Sequence, residues 1–353
     1  MATADILPYE LYSDAPGFLL NKREWEAANA THPSSFNFGP LPSGWPHELR
    51  GPQVWTGDYL KDNRKYEKED QNIAFLGINS WIGDQRLNQG ARRGLCHIKS
   101  ISHIDPSQRG KIYVSAQDTN AQMYHSDAGS DVVALMAVSL TGKGGASTVA
   151  SSWQVYNHLA KTRPDILRIL AEKKFRWEAN GIPDDGVRLI HWKDEKLFLN
   201  FSTRTFIGYG ELPERDTRYP ALTFEEREAF GGWQWVAEQY SLETPLQVGD
   251  IEWVNNLHHQ HARRGFTEDP ANPRHLLRVW LRDAELTPEL PTDIKRKFDA
   301  MFSDAPDFYP VDELEEDARR RETGVFTGSC KNETAAERLA SGGIRADNAN
   351  ASR

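Results

Sequence analysis

The longest nearly uninterrupted apolar stretch of this chain, Val132–Leu140, has the length of one buried strand and falls far short of the roughly 20 residues a membrane-spanning helix needs. A chain with so short a maximum run must assemble its core from many small pieces. Ile73–Ile78, Ile112–Val114, Val187–Ile190, Leu197–Phe201, Ile251–Val254 and Leu276–Leu281 are further short apolar runs bounded by turn residues, and each is expected to be a strand. Asp194-Glu195-Lys196 is expected to link a hairpin, and Gly142-Lys143-Gly144-Gly145 to close the strand that gathers after Tyr124. Helices are expected in three places. Trp153, Tyr156 and Leu159 recur at helical spacing behind Ser151 or Ser152 as cap, Pro164 can open a second helix, and Thr223-x-x-Glu226 is a capping-box pattern leading toward Tyr240.

The 353 residues are 39% hydrophobic and 26% charged, with 11 Trp, 15 Phe and 11 Tyr. That balance excludes a disordered chain and a small disulfide scaffold. Only Cys96 and Cys330 occur, which fits a reducing compartment and leaves no cysteine-based zinc motif. The first residues carry neither a positive leader nor an apolar signal core, so a cytoplasmic location is the expectation. A net charge of −9 with scattered Lys and Arg lacks the footprint of a nucleic-acid binder. Partners are expected to be small molecules, with no nucleic acid and no membrane. Three parts are expected along the chain: residues 1–58, rich in Pro and Gly, as a wrapping segment; 59–303 as a body built mainly of β-strands with flanking helices; and 304–353 as a charged, mobile tail.

Three separated pieces carry the chemistry. In a strand, His125 and Asp127 project from one face with room for a metal between them. His103-Ile104-Asp105 has the same spacing but runs into Pro106 and a polar turn, whereas His125 and Asp127 enter an apolar strand. A distal imidazole comes from Leu257-His258-His259-Gln260-His261. His261 is preferred there because Arg274, 13 residues on, can return beside it after one turn. Two His and one carboxylate hold ferrous iron and leave positions open for a co-substrate and oxygen. Arg274 and Arg278, four apart, face one side of a strand, and two guanidiniums in one cavity imply two anionic groups to receive. An ion pair with Asp or Glu is the competing reading for Arg278, and a hydroxyl bonded within its own Gly-rich turn is the competing reading for Ser147.

The ordered set His125-x-Asp127, Gly144-Gly145-x-Ser147, Asn256 with His261-Ala262-Arg263, and Arg274-His275-Leu276-Leu277-Arg278-Val279-Trp280-Leu281 resembles the taurine dioxygenase (TauD/TfdA) family of iron(II)- and 2-oxoglutarate-dependent oxygenases over residues 110–285. The texture around Ser151-Ser152-Trp153 and Asn255-Asn256-Leu257 is similar to a fungal branch associated with secondary metabolism, some of whose members act on amino acids and form aziridine rings. The resemblance implies a double-stranded β-helix, or jelly roll, in which His125, Asp127 and His261 hold iron. It implies that Ser147 and Arg274 bind 2-oxoglutarate and that Arg278 meets the anionic group of the primary substrate. Asn255 stands where the family usually has Asp. The reaction implied consumes O2 and couples oxidative decarboxylation of 2-oxoglutarate to hydroxylation, desaturation or oxidative cyclisation of a small anionic substrate such as an amino acid. The alternatives are an inactive jelly-roll binding protein and a zinc hydrolase built on His258, His259 and His261.

Overall fold

In a computed structural model the described residues are 68–323, apart from 101–114, 118, 128, 141–142, 177–184, 204–205, 207–218, 270 and 303–304. Their strands form two antiparallel sheets and a hairpin. In the first sheet β1 (Gln85–Arg86), β11 (His275–Arg282), β4 (Val132–Ser139) and β9 (Ile251–Asn255) lie side by side in that order, and β2 (Cys96–Lys99) also pairs with β11. In the second the order is β3 (Gln122–His125), β10 (His259–Arg263), β5 (Ser147–Ser151) and β8 (Leu242–Thr244). The chain crosses from sheet to sheet at each step of β2–β3–β4–β5 and again of β8–β9–β10–β11. That alternation is the winding of a jelly roll.

The apolar runs of β4 and β11 follow from burial on both faces. On β11, Leu276 and Trp280 join Val133, Leu135 and Ala137 in a cluster toward the second sheet. Leu277, Val279 and Leu281 join Ala134, Met136, Leu95 and Phe75 on the opposite face. Successive side chains point oppositely, so a strand covered on both sides reads as continuous rather than alternating.

Helices α2 (Ser152–Thr162), α3 (Pro164–Glu172) and α4 (Phe224–Gln239) cover the outer face of the second sheet. Tyr124, Ala150 and Ala262 pack there against Val155, Leu159, Ile166, Phe230 and Trp233. The local signals act as expected. The Ser151 hydroxyl accepts the Gln154 N–H, Pro164 stands in the first turn of α3, and Thr223 and Glu226 form the reciprocal capping box of α4. Thr223→Ala should therefore cost about 1 kcal/mol, measured as a lower urea midpoint with unchanged slope. The hairpin β6 (Ile190–Lys193) and β7 (Lys196–Leu199) turns through Asp194 and Glu195, both left-handed at φ 48° and 59°. Two left-handed residues match the twist of paired strands.

Two expectations are corrected. Ile73–Ile78 lies within a helix, α1 (Lys68–Asn79), not a strand. Phe75 and Asn79 are buried one turn apart while Ile73 and Ile78 are exposed. A short apolar run carries no period long enough to separate the two states, and Glu69 and Asp70 favour a helix start. The charged segment after 304 is also not a tail throughout. After α5 (Thr292–Phe302) the chain forms α6 (Glu313–Thr323), whose Glu316 is 1% exposed and ion-paired with Arg93, itself 0% exposed. Its partner lies 223 residues away, so no local pattern announces the burial. The wrapping segment 1–58, Ile112–Val114, His103-x-Asp105 and residues 324–353 lie outside the described residues. Among the described residues no helix is long and apolar enough to cross a membrane.

Candidate metal centre

The antiparallel pairing of β3 and β10 sets His125 directly opposite His261, with ring centroids 4.3 Å apart. β3 ends at His125, and a turn carries Asp127 to the same place. Asn256 clamps that turn: its Oδ1 accepts the Asp127 N–H at 2.7 Å, and its Nδ2 donates to the carbonyls of Asp127 and Ser130 at 3.0 and 2.8 Å. One ligand atom from each of His125, Asp127 and His261 lies within 4.8 Å of the others.

The hydrogen bonds of His125 and Asp127 leave one ligand atom of each for a metal. His125 Nδ1 is 2.7 Å from the Met123 carbonyl, which can only accept, so Nδ1 carries the proton and Nε2 presents a lone pair. Nε2 lies 3.4 Å from Asp127 Oδ1. The other carboxylate oxygen, Oδ2, accepts from Trp280 Nε1 at 2.6 Å and from Arg278 Nη1 at 3.3 Å. Burial opposes charge on Asp127, but Arg278, then His125 and His261, outweigh it and hold the carboxyl well below its usual range. Burial, with His125 and Arg278 adding to it and Asp127 opposing, pushes His261 down to about 3. His261 is neutral at physiological pH, as a metal ligand must be.

The same cavity extends to Ser147 and Arg274. Arg274 is 4% exposed, and its Nε has no hydrogen-bond partner among the described residues. Burial, reinforced by the neighbouring Arg263, lowers its guanidinium to about 9. A buried cation with an open donor fits an incoming anion. The glycine pair builds this end. Gly144 and Gly145 are left-handed, and a Cβ on Gly144 would lie 2.3 Å from the Gly265 carbonyl oxygen. Only glycine takes that turn without displacing backbone, and it delivers Ser147 into β5 at the cavity wall.

Arg278, expected to receive a substrate anion, lines the same cavity and is also engaged within the chain. Its Nη1 is on Asp127, its Nε donates to Gln89 Oε1 at 2.9 Å, and its guanidinium lies 4.2 Å from the Trp280 ring centroid. Those contacts are of the kind the competing ion-pair reading describes. The His258/His259/His261 zinc cluster is not assembled either: His258 Nδ1 bonds the Leu197 carbonyl and its ring meets Trp153 and Phe198. His258 and His259 line a separate surface groove. Sequence reasoning missed Trp280 and Gln89 as supports of Asp127 and Arg278. Trp280 could have been found, because strand alternation sets it on the same face as Arg278 and Leu276.

Residues 69–280 match the model of the family described as taurine catabolism dioxygenase TauD, TfdA. The taurine hydroxylase-like protein SAT17 of Stachybotrys chartarum is 33% identical over 264 residues, 72% of this chain and 65% of that protein. The match thus spans slightly under two thirds of the relative's length. Among solved structures, an asparagine oxygenase in complex with Fe(II), 2S,3S-3-hydroxyasparagine and succinate aligns with a TM-score of 0.45 and 14% identity, over 59% of this chain and 63% of that one. The non-heme iron oxygenase OrfP with Fe and alpha-ketoglutaric acid aligns at 0.37 and 18% identity, over 56% and 60%.

Proposed function

The chain belongs to the taurine catabolism dioxygenase TauD, TfdA family, and on that premise we propose that His125, Asp127 and His261 bind Fe(II) while Arg274 and Ser147 hold the distal carboxylate of 2-oxoglutarate. The enzyme is an Fe(II)- and 2-oxoglutarate-dependent dioxygenase. The observation that carries the residue assignment is the cavity itself, with three inward-facing ligand atoms at one end and the open Arg274 Nε at the other. Fe(II) held there would supply oxygen activation, coupling decarboxylation of 2-oxoglutarate to succinate and CO2 with removal of hydrogen from the substrate.

The chain's own contribution is positioning. Trp280 and Arg278 occupy Asp127 Oδ2 and leave Oδ1 toward the metal position; Met123 fixes the His125 tautomer. Such outer partners orient ligands and tune their basicity. Arg278, engaged by Asp127 and Gln89, serves as a positioning residue, so the case for an anionic substrate passes to the relative. Its name, taurine hydroxylase-like protein, supports a small zwitterion of the amino-acid type as substrate. Hydroxylation, desaturation and ring closure, aziridine formation included, all begin from the same hydrogen removal, and the placement of the substrate selects among them.

Arg274→Leu tests the 2-oxoglutarate end. Hydrogen bonds to a charged group contribute about 1.5–3 kcal/mol, so the variant should need about 10–100 times more 2-oxoglutarate for half-maximal succinate release. An unchanged requirement would reassign Arg274. The function is tested by Fe(II)-dependent succinate release from 2-oxoglutarate across a panel of amino acids and amino sulfonates. Stimulation by a panel member supports the reading, and absence of release with every member, in protein that retains iron, counts for an inactive binding protein.

A further inference from the structure

We propose that His97, His275 and Glu313 form a second metal site, for a divalent transition ion of the zinc type, which fastens helix α6 to the outer face of the first sheet. The three residues come from β2, β11 and the first turn of α6, and one ligand atom from each lies within 4.8 Å of the others. The site is on the opposite side of the sheet from the candidate active site. In the β2–β11 register His275 faces Lys99 and Leu277 faces His97, so the two histidines share the face that carries Leu277, while Leu276 and Arg278 share the other.

The donor geometry is that of a ligand pair. His97 is 3% exposed, and its Nε2 lies 3.0 Å from the Pro310 carbonyl. A carbonyl only accepts, so Nε2 carries the proton and Nδ1 presents its lone pair to His275 Nε2, 2.9 Å away. A metal-bound imidazole commonly donates its second N–H to a backbone carbonyl in this manner. Two nitrogens each about 2.0–2.1 Å from one zinc ion lie about 3 Å apart or somewhat more, so the rings need little movement. Two imidazoles and a carboxylate suit zinc, nickel or cobalt better than calcium or magnesium.

The metal-free arrangement is held by a proton. His275 Nε2–H donates to His97 Nδ1, and Glu313 Oε1 pairs with Lys99, with Lys68 4.0 Å from its other oxygen. On entry the ion takes the proton's place between the rings, the His275 proton moves to Nδ1, and the Glu313 carboxylate exchanges Lys99 for the metal. Lys99 and Glu313 are each partly exposed, so both can make that exchange without opening the core. Lys68 keeps Asp312 as partner at 2.9 Å. The ion would thus join α6 to two strands at a point where Glu316, one turn along the helix, already accepts the His97 N–H.

The test uses zinc chloride with full-length protein and metal counting after gel filtration. The variant His125→Ala/His261→Ala, which lacks the active-site imidazoles, should retain one equivalent of zinc. Adding His275→Gln should bring the count to zero with an unchanged far-UV circular dichroism spectrum. If the triple variant does not fold, Glu313→Gln in its place should weaken zinc binding about tenfold or more. No zinc on the active-site variant, or a count and affinity indifferent to both His275→Gln and Glu313→Gln, overturns the proposal. Because both active-site imidazoles are already removed, the result stands apart from the assignment of iron to His125, Asp127 and His261.

Discussion

Asp127→Ala should abolish iron retention and succinate release, with a loss well beyond the about 10–100-fold that removing an outer hydrogen-bond partner costs a metal site. The substitution deletes the only carboxylate among the three converging ligands. It also removes the acceptor of Trp280 Nε1 and of Arg278, which is 4% exposed. Removing a negative charge beside a buried guanidinium also disfavours an entering cation, so two independent effects act in one direction. Trp280→Phe separates them, because it keeps all three ligands and loses one hydrogen bond. That variant should stay active with iron affinity lowered about 10–100-fold. Iron content after anaerobic gel filtration reads both variants, and retention of stoichiometric iron by Asp127→Ala would remove Asp127 from the site.

Glu316→Ala should lower stability by about 3–5 kcal/mol, the usual consequence of removing one member of a buried ion pair. Arg93 is 0% exposed, and its remaining partners include the carbonyls of Gly90 and Gln89. The lost carboxylate also accepts the backbone N–H of His97, so the attachment of α6 to β2 loses a second bond. The change is read from the urea midpoint. A substitution in a solvated charged tail would fall within about 0.5 kcal/mol, and that smaller result would return the segment to the character its composition suggests.

That contrast shows which features the sequence makes legible. Strands β4 and β11 announce themselves because both faces are covered and their apolar runs are nearly continuous, broken within Leu276–Leu281 by Arg278 alone. The capping box of α4 and the Pro164 start of α3 are local chemistry, read directly from spacing. His125, Asp127, Ser147, His261, Arg274 and Arg278 all line one cavity, and their ordered motifs sufficed to nominate them. What stayed hidden depends on partners distant in sequence. Arg278 pairs with Asp127 across 151 residues and Arg93 with Glu316 across 223, and no window of sequence contains either pair. His125 and Asp127 meet as expected, but a turn held by Asn256, rather than strand alternation, places the carboxylate. The short helix α1 was hidden for a different reason: six mostly apolar residues support either period equally.

The central claim is that one cavity holds Fe(II) and 2-oxoglutarate together. It is tested most directly by anaerobic titration of the protein with Fe(II) and 2-oxoglutarate while following the visible charge-transfer band of the chelate, with His125→Ala as control. The account predicts a saturable band in the protein that is absent from the folded His125→Ala variant. A folded, iron-loaded protein that gives no band, or a band of equal strength in the variant, would contradict it.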